Sequence, residues 1–401
     1  MKNMVKVVKN QQKAITLVAL VITIVILLIL AGISISTLTN TGIFEKAKEA
    51  KGKSENAEKE QGQILDDYEK ELNKYTSKEL TAENTGVVLS DSENIELHDK
   101  NGSKIVVPAG YKVVNTGELV VEKGIVIEDG KGNQYVWIPC TTEDSKSQLQ
   151  FKRTEWDVEV DGPDNSRASK DELTLTDSKC SKSDSDNGLT DAKVAEIVEQ
   201  VKAEKESVAK NGGYYIGRYE VGKENGTAII KYYQTPYTDI NWSTAYGLAK
   251  GIGGGTGATT YLCSSYAWDT AINFIQNNGY ENYAKTRVGF NENWYDQAVV
   301  ENGTTIKEAY KAQRLETGRT TAKCNIFDMG GNEAEFITEV MPSTSEPVVL
   351  RGGAYGYYGP SGLRCDNTAS HATSNCGLRA TLFYYRKVRH RVIFNNKFKN
   401  T

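Results

Sequence analysis

The stretch "NIFDMGGNEAEFITE", residues 325–339, contains paired glycines that suit a tight turn. A second glycine pair follows in "VLRGGAYG", residues 349–356, and the segment "NCGLRATL", residues 375–382, comes last. Each of the two later motifs carries one arginine, Arg351 and Arg379. A buried guanidinium needs carboxylate or carbonyl partners, so we expect both arginines to find them inside the domain.

Two further motifs precede this stretch. They are "YYIGRYEVG", residues 214–222, which alternates as a strand, and "TTYLCSSYAWDTAINFI", residues 259–275, which has helical spacing towards its end. The four elements in this order resemble the formylglycine-generating enzyme family, also called the sulfatase-modifying family. The resemblance implies an α+β fold with an elaborated C-type-lectin-like domain over residues 80–385.

The catalytic chemistry of that family is only half matched. Its enzymes oxidise a substrate cysteine with two cysteines that hold copper, spaced five residues apart. Thiolate pairs suit a cuprous ion. Cys365 matches the second position, but Pro360 stands at the first and cannot bind a metal. Copper is therefore not expected, Cys365 is the one catalytic candidate, and the chain is expected to lack the oxidase activity.

The same family carries calcium at the turn that corresponds to residues 331–336. Asn332 and Glu335 offer oxygen atoms of the kind that calcium prefers. The resemblance thus implies a calcium site at these two residues. The alternative interpretation is that both are polar groups stabilising the turn.

The stretch from Ala354 to Cys376 also resembles the diversified region of variable proteins from diversity-generating retroelements, which use the same lectin-like fold. It mixes Tyr, Ser, Asn, Asp, His and Gly, as antibody loops do. The predicted ligand-contact residues are Tyr355, Tyr357, Tyr358, Asp366, Asn367, Ser370, His371 and Asn375. The alternative is an irregular loop without a binding role.

The N-terminus predicts a membrane anchor. A basic leader, residues 1–13, precedes residues 14–44, which contain no charged residue. About 20 apolar residues in a helix cross a bilayer, and lysines before them favour a cytoplasmic N-terminus. The segment resembles type IV prepilin-like proteins, although Ala19 stands where that family has a glutamate for filament assembly.

The remaining chain divides by composition. Residues 45–78 are rich in Glu and Lys and predict a charged helical stalk. Residues 103–114 and 123–140 predict short strands, and the apolar spacing from Asp191 to about Lys210 predicts a core-packing helix. Residues 141–188 predict a polar insertion, of which residues 178–188 are expected to be an exposed insertion or loop, and residues 386–401 predict a basic tail.

The net charge of −4 gives no indication of a nucleic-acid partner. Tyrosine is abundant, with 22 residues, which favours a binding surface. Six cysteines without metal-binding spacing permit either disulfides or buried thiols. They are Cys140, Cys180, Cys263, Cys324, Cys365 and Cys376.

Together these features predict a single-pass protein of the cell membrane whose C-terminal domain is extracellular. We expect that domain to bind an extracellular protein or glycan without turnover. One alternative is a copper-dependent formylglycine-generating oxidase of exported sulfatases. Another is a pilin-like filament subunit with pilin-like assembly partners.

Overall fold

The computed structural model describes residues 19–27, 43–76, 78–156, 189–340, 346–356 and 359–384. Contacts within the chain divide it into two units, Met1–Leu72 and Asn73–Thr401. The leader, residues 1–13, and the basic tail, residues 386–401, lie outside the described residues.

A helix lies where the charged stalk is predicted. Helix α1 spans Ile43–Thr76. Lys53 Nζ lies 2.6 Å from Glu49 Oε1, one helical turn away, and Lys51 Nζ lies 3.9 Å from Glu55 Oε1. Exposed pairs of this kind contribute roughly 0.3–0.5 kcal/mol each, so the helix depends mainly on the intrinsic propensity of its Glu, Lys and Ala residues.

The predicted membrane segment, residues 14–44, is described only at 19–27, which are helical, and at 43–44, where α1 begins. Among the helices that can be described, none is both long and apolar enough to cross a bilayer.

A six-stranded antiparallel sheet forms the base of the second unit. Its strands are β3 (Lys112–Val114), β4 (Val126–Glu128), β5 (Gln134–Pro139), β6 (Gly213–Gly217), β10 (Ala258–Leu262) and β17 (Ala380–Tyr384). Their order is β10-β17-β6-β5-β4-β3, so the last strand lies between strands that occur much earlier in the chain. The strands predicted in residues 103–114 and 123–140 are present.

Three helices with side-chain caps pack on these strands. They are α2 (Asp191–Asn211), α3 (Trp242–Ile252) and α4 (Ser265–Asn277). Thr190, Asn241 and Ser264 each accept a hydrogen bond from the N–H three residues later, which satisfies a free donor of the first turn. Helix α2 ends at Gly212, whose φ of 78° is left-handed, and buries the predicted apolar stripe. The prediction of this helix is confirmed.

The polar segment predicted at residues 141–188 is described only at 141–156, where Phe151 is the one buried residue and the others are exposed or half-buried. Phe151 is only 4% exposed, and its ring lies 5.4 Å from Tyr214 and 5.8 Å from Tyr266. The backbone N–H of Phe151 also donates to Thr141 O at 2.8 Å. This one aromatic side chain packs against the core, and a single residue produces no periodicity. Residues 157–188 lie outside the described residues.

A four-stranded sheet lies later in the chain. It comprises β13 (Ala334–Val340), β14 (Val348–Arg351), β15 (Arg364–Asn367) and β16 (Cys376–Leu378), in the order β15-β14-β13-β16. Strand β13 is buried along its whole length and pairs antiparallel with β14 but parallel with β16.

Three small sheets also occur in the described part of the second unit. They are β1 (Ile95–His98) with β2 (Lys104–Val107); β7 (Gly222–Glu224) with β8 (Thr227–Ile229) and β9 (Thr235–Pro236); and β11 (Val299–Glu301) with β12 (Thr304–Lys307). The mixture of helices and mainly antiparallel sheets confirms the predicted α+β class.

The predicted glycine turns are also confirmed. Gly331 has a φ of 73°, and a Cβ there would lie 2.7 Å from the Asn293 carbonyl group. Gly353 has a φ of 69°, and a Cβ there would lie 2.4 Å from Gly359 O. Both positions therefore combine a left-handed backbone with a close approach that excludes a side chain.

Candidate ligand-binding surface

The connection from β15 to β16, residues 368–375, is the central part of the predicted binding stretch. We call it the 368–375 loop. Its two ends are fixed by the four-stranded sheet, because β15 pairs with β14 on one side and β16 pairs with β13 on the other. The loop thus starts and finishes on strands that are not neighbours.

Three backbone hydrogen bonds also hold the loop from outside its own segment. Trp242 N–H donates to Ala369 O at 3.2 Å, Asp239 N–H to Thr373 O at 3.1 Å, and Ala334 N–H to Asn375 O at 2.9 Å. Ala369 is fully buried. The backbone is therefore tied to α3, to the segment before α3 and to β13.

Side chains of the loop nevertheless remain at the surface. Ser370 and Ser374 are exposed, while His371 and Asn375 are half-buried. Thr373 Oγ1 lies 3.2 Å from His371 Nε2 and also donates to Asn375 Oδ1. The loop thus presents a connected row of small polar groups.

The other predicted contact residues have different surroundings. Tyr355 is half-buried, and its hydroxyl lies 3.1 Å from Ser374 Oγ, so the structure brings it to the loop. Asp366 and Asn367 are half-buried in β15, where they pair with Val349 and Val348 of β14. Tyr357 and Tyr358 lie outside the described residues.

Sequence reasoning missed a residue that contacts this loop. Arg314 Nη1 donates to Thr238 Oγ1 at 2.6 Å and to Ser374 O at 3.3 Å. Its guanidinium also lies 3.9 Å from the carboxylate of Glu333. Arg314 and Thr238 are 60 and 136 residues before Ser374, so no local pattern could have indicated the contact.

Buried acids lie beneath Arg314. Glu333 is 1% exposed, and neither of its carboxylate oxygens accepts a hydrogen bond. Burial raises the pKa of Glu333 well above its usual value, and Arg314 only partly opposes that rise. Glu220 accepts the Glu333 N–H at 2.9 Å, and burial raises its pKa as well. Both carboxyl groups are therefore biased towards their neutral forms.

The two arginines of the closing motifs have the partners that the sequence requires. Arg351 Nη2 donates to Asp269 Oδ1 at 2.7 Å, and its Nε donates to Leu363 O at 2.8 Å. Arg379 donates from Nη2 and Nε to both oxygens of Glu335, at 2.7 and 3.0 Å. These fully buried pairs fix the sheet from which the loop emerges.

A third arginine also bonds to Asp269, the partner of Arg351. Arg364 of β15 pairs with Asp269 and donates from Nε to Glu339 Oε2 at 3.1 Å. Asp269, on α4, is thus bonded by guanidinium groups from both β14 and β15. The side-chain network joins the helix to the strands that carry the loop.

The predicted calcium ligands do not fit a calcium ion in this arrangement. Asn332 Oδ1 accepts hydrogen bonds from Asn293 Nδ2 at 2.8 Å and from Leu315 N–H at 3.0 Å. Both oxygens of Glu335 are bonded by the Arg379 guanidinium. A cation would have to displace a buried guanidinium, so the geometry favours the alternative interpretation of polar groups that stabilise the turn.

The described cysteines offer no copper pair. Cys365 Sγ lies 3.6 Å from Asp366 O, and Pro360 stands five residues earlier. Every described cysteine is free of a disulfide, and Cys180 lies outside the described residues. Within the described part of the chain, no group of three or more His, Cys, Asp or Glu side chains is placed to hold a metal ion.

Comparison with known proteins gives structural likenesses alone. No protein-family model matches the chain, and no curated protein sequence matches it. Treponema denticola variable protein 1 is 13% identical with a TM-score of 0.32, over 42% of this chain and 84% of that one. CarF is 14% identical with a TM-score of 0.30, over 43% and 87%.

A third similar structure is PvdO from Pseudomonas aeruginosa. It is 16% identical with a TM-score of 0.26, over 43% of this chain and 81% of that one. At this level of identity and structural overlap, the three likenesses by themselves decide neither the fold family nor the function.

Proposed function

We propose that this chain is a membrane-anchored surface protein that binds an extracellular protein or glycan through residues 354–376. In this proposal the second unit is a lectin-like binding domain, and it binds its ligand without chemical turnover. The observation that carries the proposal is the 368–375 loop. Its backbone is bonded to three framework segments, while Ser370 and Ser374 stay exposed.

A fixed backbone with exposed polar side chains favours binding. Less conformational entropy is lost on association when the loop is already ordered. Small hydroxyl and amide groups beside a tyrosine, here Tyr355, supply adaptable hydrogen bonds next to a rigid aromatic surface. Changes of side chain at the exposed positions would also leave the buried network of Arg351 and Arg379 untouched.

The described thiols favour binding over the oxidase alternative. Oxidative chemistry needs an accessible thiolate. Burial raises the pKa of Cys376 to about 11 and that of Cys324 to about 12. These thiols therefore stay protonated near neutral pH, and Cys365 has proline at the position where the resemblance requires its partner.

A binding screen with a blocking variant tests the proposal. The full-length chain in detergent micelles would be applied to arrayed glycans and extracellular proteins. Ser370→Trp places a bulky ring on the exposed loop and should abolish binding, whereas Ser92→Trp, at another exposed turn serine, should leave it intact. Equal binding by both variants would show that the ligand does not use the loop.

Diversification of the loop is tested at the level of DNA. Deep sequencing of the locus within one strain should show substitutions concentrated at adenine-containing codons of residues 354–376. Quiet flanking codons are the internal control. An invariant stretch would reduce the proposal to a receptor of fixed specificity.

The anchor is tested separately from the binding site. Residues 14–44 are expected to retain the chain in the membrane, and residues 80–385 are expected to be accessible to protease added outside intact cells. Deleting residues 14–35 should release the protein from the membrane fraction. Recovery of the full-length chain in sheared surface fibres would instead favour the filament subunit.

A further inference from the structure

A pair of adjacent tyrosines is exposed outside the predicted binding stretch. Tyr232 is 50% exposed and Tyr233 is 52% exposed. Their ring centroids are 5.7 Å apart, and the ring planes are tilted by 45°. Single exposed apolar residues are ordinary, but two neighbouring rings make a continuous aromatic surface, which we call the tyrosine platform.

The backbone beneath the platform is held in an unusual conformation. Tyr233 has a φ of 62°, a left-handed value that is rare for a bulky side chain. Its N–H donates to Thr317 O at 2.9 Å, and the fully buried Thr317 Oγ1 accepts the next N–H, from Gln234, at 3.0 Å. Surrounding contacts therefore impose the conformation, as is common where strain serves a binding site.

The rings also require a glycine below them. Gly318 has a φ of 82°, and a Cβ there would lie 2.6 Å from the Tyr219 ring and 2.9 Å from the Tyr232 ring. Tyr219 lies 6.3 Å from Tyr232 and supports it from inside. The platform is thus packed on its inner side and open on its outer side.

Charged groups form the rim of the platform. The Arg319 guanidinium lies 5.1 Å from the centre of the Tyr233 ring. It pairs with Glu301 at 2.7 Å and with Glu316 at 3.0 Å, and Tyr232 Oη donates to Glu301 Oε1 at 3.1 Å. Two carboxylates and one guanidinium leave the rim with one negative charge in excess.

We infer that the tyrosine platform binds an uncharged sugar ring of a glycan. The C–H face of a pyranose can stack on the exposed rings, and its hydroxyl groups can donate to the carboxylates of Glu301 and Glu316. The excess negative charge disfavours sulfated or acidic sugars. This site lies outside residues 354–376 and goes beyond the function proposed above.

The size of the platform favours a sugar over a protein. A tyrosine buries roughly 150–250 Å², so two half-exposed tyrosines offer roughly 200 Å² in total. A stable protein interface needs about 800 Å² from each partner. The platform alone is too small for such an interface but matches a single ring.

The experiment uses the full-length chain in detergent micelles on immobilised neutral and acidic polysaccharides. Tyr233→Ala and Tyr232→Ala should each weaken binding to a neutral polysaccharide about tenfold or more, which corresponds to the loss of one aromatic contact. Tyr233→Phe keeps the ring and should retain binding. Tyr310→Ala is the matched control, since Tyr310 is also exposed, at 68%, with a φ of 61°.

Three results would overturn the inference: no neutral polysaccharide retained, a preference for acidic ones, or equal losses in Tyr233→Ala and Tyr310→Ala. Ser370→Trp separates this inference from the proposed function. If that variant alone abolishes polysaccharide binding while both tyrosine variants bind normally, the ligand lies on the 368–375 loop. The proposed function would then stand and the platform would not.

Discussion

The two main sheets of the second unit differ in the kind of side chain that they bury. The four-stranded sheet buries ion pairs, of which Arg379 with Glu335 is fully inaccessible to solvent. The six-stranded sheet buries rings, such as Tyr214 stacked at 5.2 Å on Phe383. A buried acid beside this sheet, Glu204 of α2, accepts hydrogen bonds from neutral donors, Gln200 and Ser264.

The two kinds of buried side chain differ in how much stability they add and in how much a local change costs. Aromatic burial is favourable by itself, at about 25 cal/mol per Å² of apolar surface. A buried ion pair adds little net stability, but losing one partner is expensive because the other charge stays buried. The sheet that carries the 368–375 loop is therefore the one whose arrangement tolerates the least local change.

The largest expected effect is that of Arg379→Met. It leaves the Glu335 carboxylate without its guanidinium, and the free energy of unfolding should fall by about 3–5 kcal/mol. Urea unfolding at neutral pH measures it. Lys104→Met is the control, because its pair with Glu96 is exposed to solvent and should contribute at most about 1 kcal/mol.

A double variant sharpens this prediction. Arg379→Met combined with Glu335→Leu removes both charges and should recover much of the lost stability. If the double variant is no more stable than Arg379→Met alone, the loss comes from the carbonyl partners of Arg379 and from packing. The contrast between the two sheets would then be wrong.

Phe151→Ala tests the aromatic side of the comparison. Removing a ring that contacts Tyr214, Tyr266 and Phe383 should reduce the free energy of unfolding by about 3 kcal/mol. Phe151→Leu keeps most of the volume and should cost about 1 kcal/mol. Thermal unfolding of the unchanged protein and of the two variants measures these losses. A negligible change in Phe151→Ala would mean that residues 141–156 do not stabilise the core.

Glu204 should change the free energy of unfolding by a similar amount, but in a way that depends on pH. Burial raises its pKa from 4.5 to about 7, and hydrogen bonds from Ser264 and Gln200 oppose the rise only in part. The folded state therefore holds a proton that the unfolded state releases. Its contribution to stability is full below pH 4.5, is lost as pH rises to about 7, and amounts to about 3 kcal/mol.

Glu204→Gln should remove this dependence, since an amide does not titrate. The measurement is the free energy of unfolding of both proteins between pH 4.5 and 8. The difference between them should grow in favour of the variant as pH rises and level off above about pH 7. Parallel curves would show that Glu204 titrates normally in the folded state.

The smallest expected effect on stability is that of Ser370→Trp. The residue is exposed and lies in a loop held by its backbone, so the free energy of unfolding should change by at most about 0.5 kcal/mol. Binding should nevertheless be lost. A large destabilisation would show that the loop is part of the folded core and that its exposed face is not free for a ligand.

Local pattern predicted several elements well. The apolar stripe suffices to place α2, and β-branched runs between turns place β2 to β5. The same reasoning gave no indication that Phe151 is buried, because one aromatic residue in a polar segment has no period. For Asn332 and Glu335 two interpretations were open, a calcium site implied by the resemblance and polar groups that stabilise the turn. Their contacts with Asn293 and Arg379, which lie 39 and 44 residues away, favour the second.

The resemblance of its motifs implied the α+β class. The residues alone were enough to predict the glycine turns at Gly331 and Gly353 and the need of Arg351 and Arg379 for buried partners. These features depend on backbone geometry and on the cost of burying a charge, which are properties of each residue. The tertiary structure alone decided which acids those arginines meet, that Arg314 reaches the 368–375 loop, and that Tyr232 and Tyr233 face solvent. Such contacts join residues far apart in the chain, and only the packed sheets bring them together.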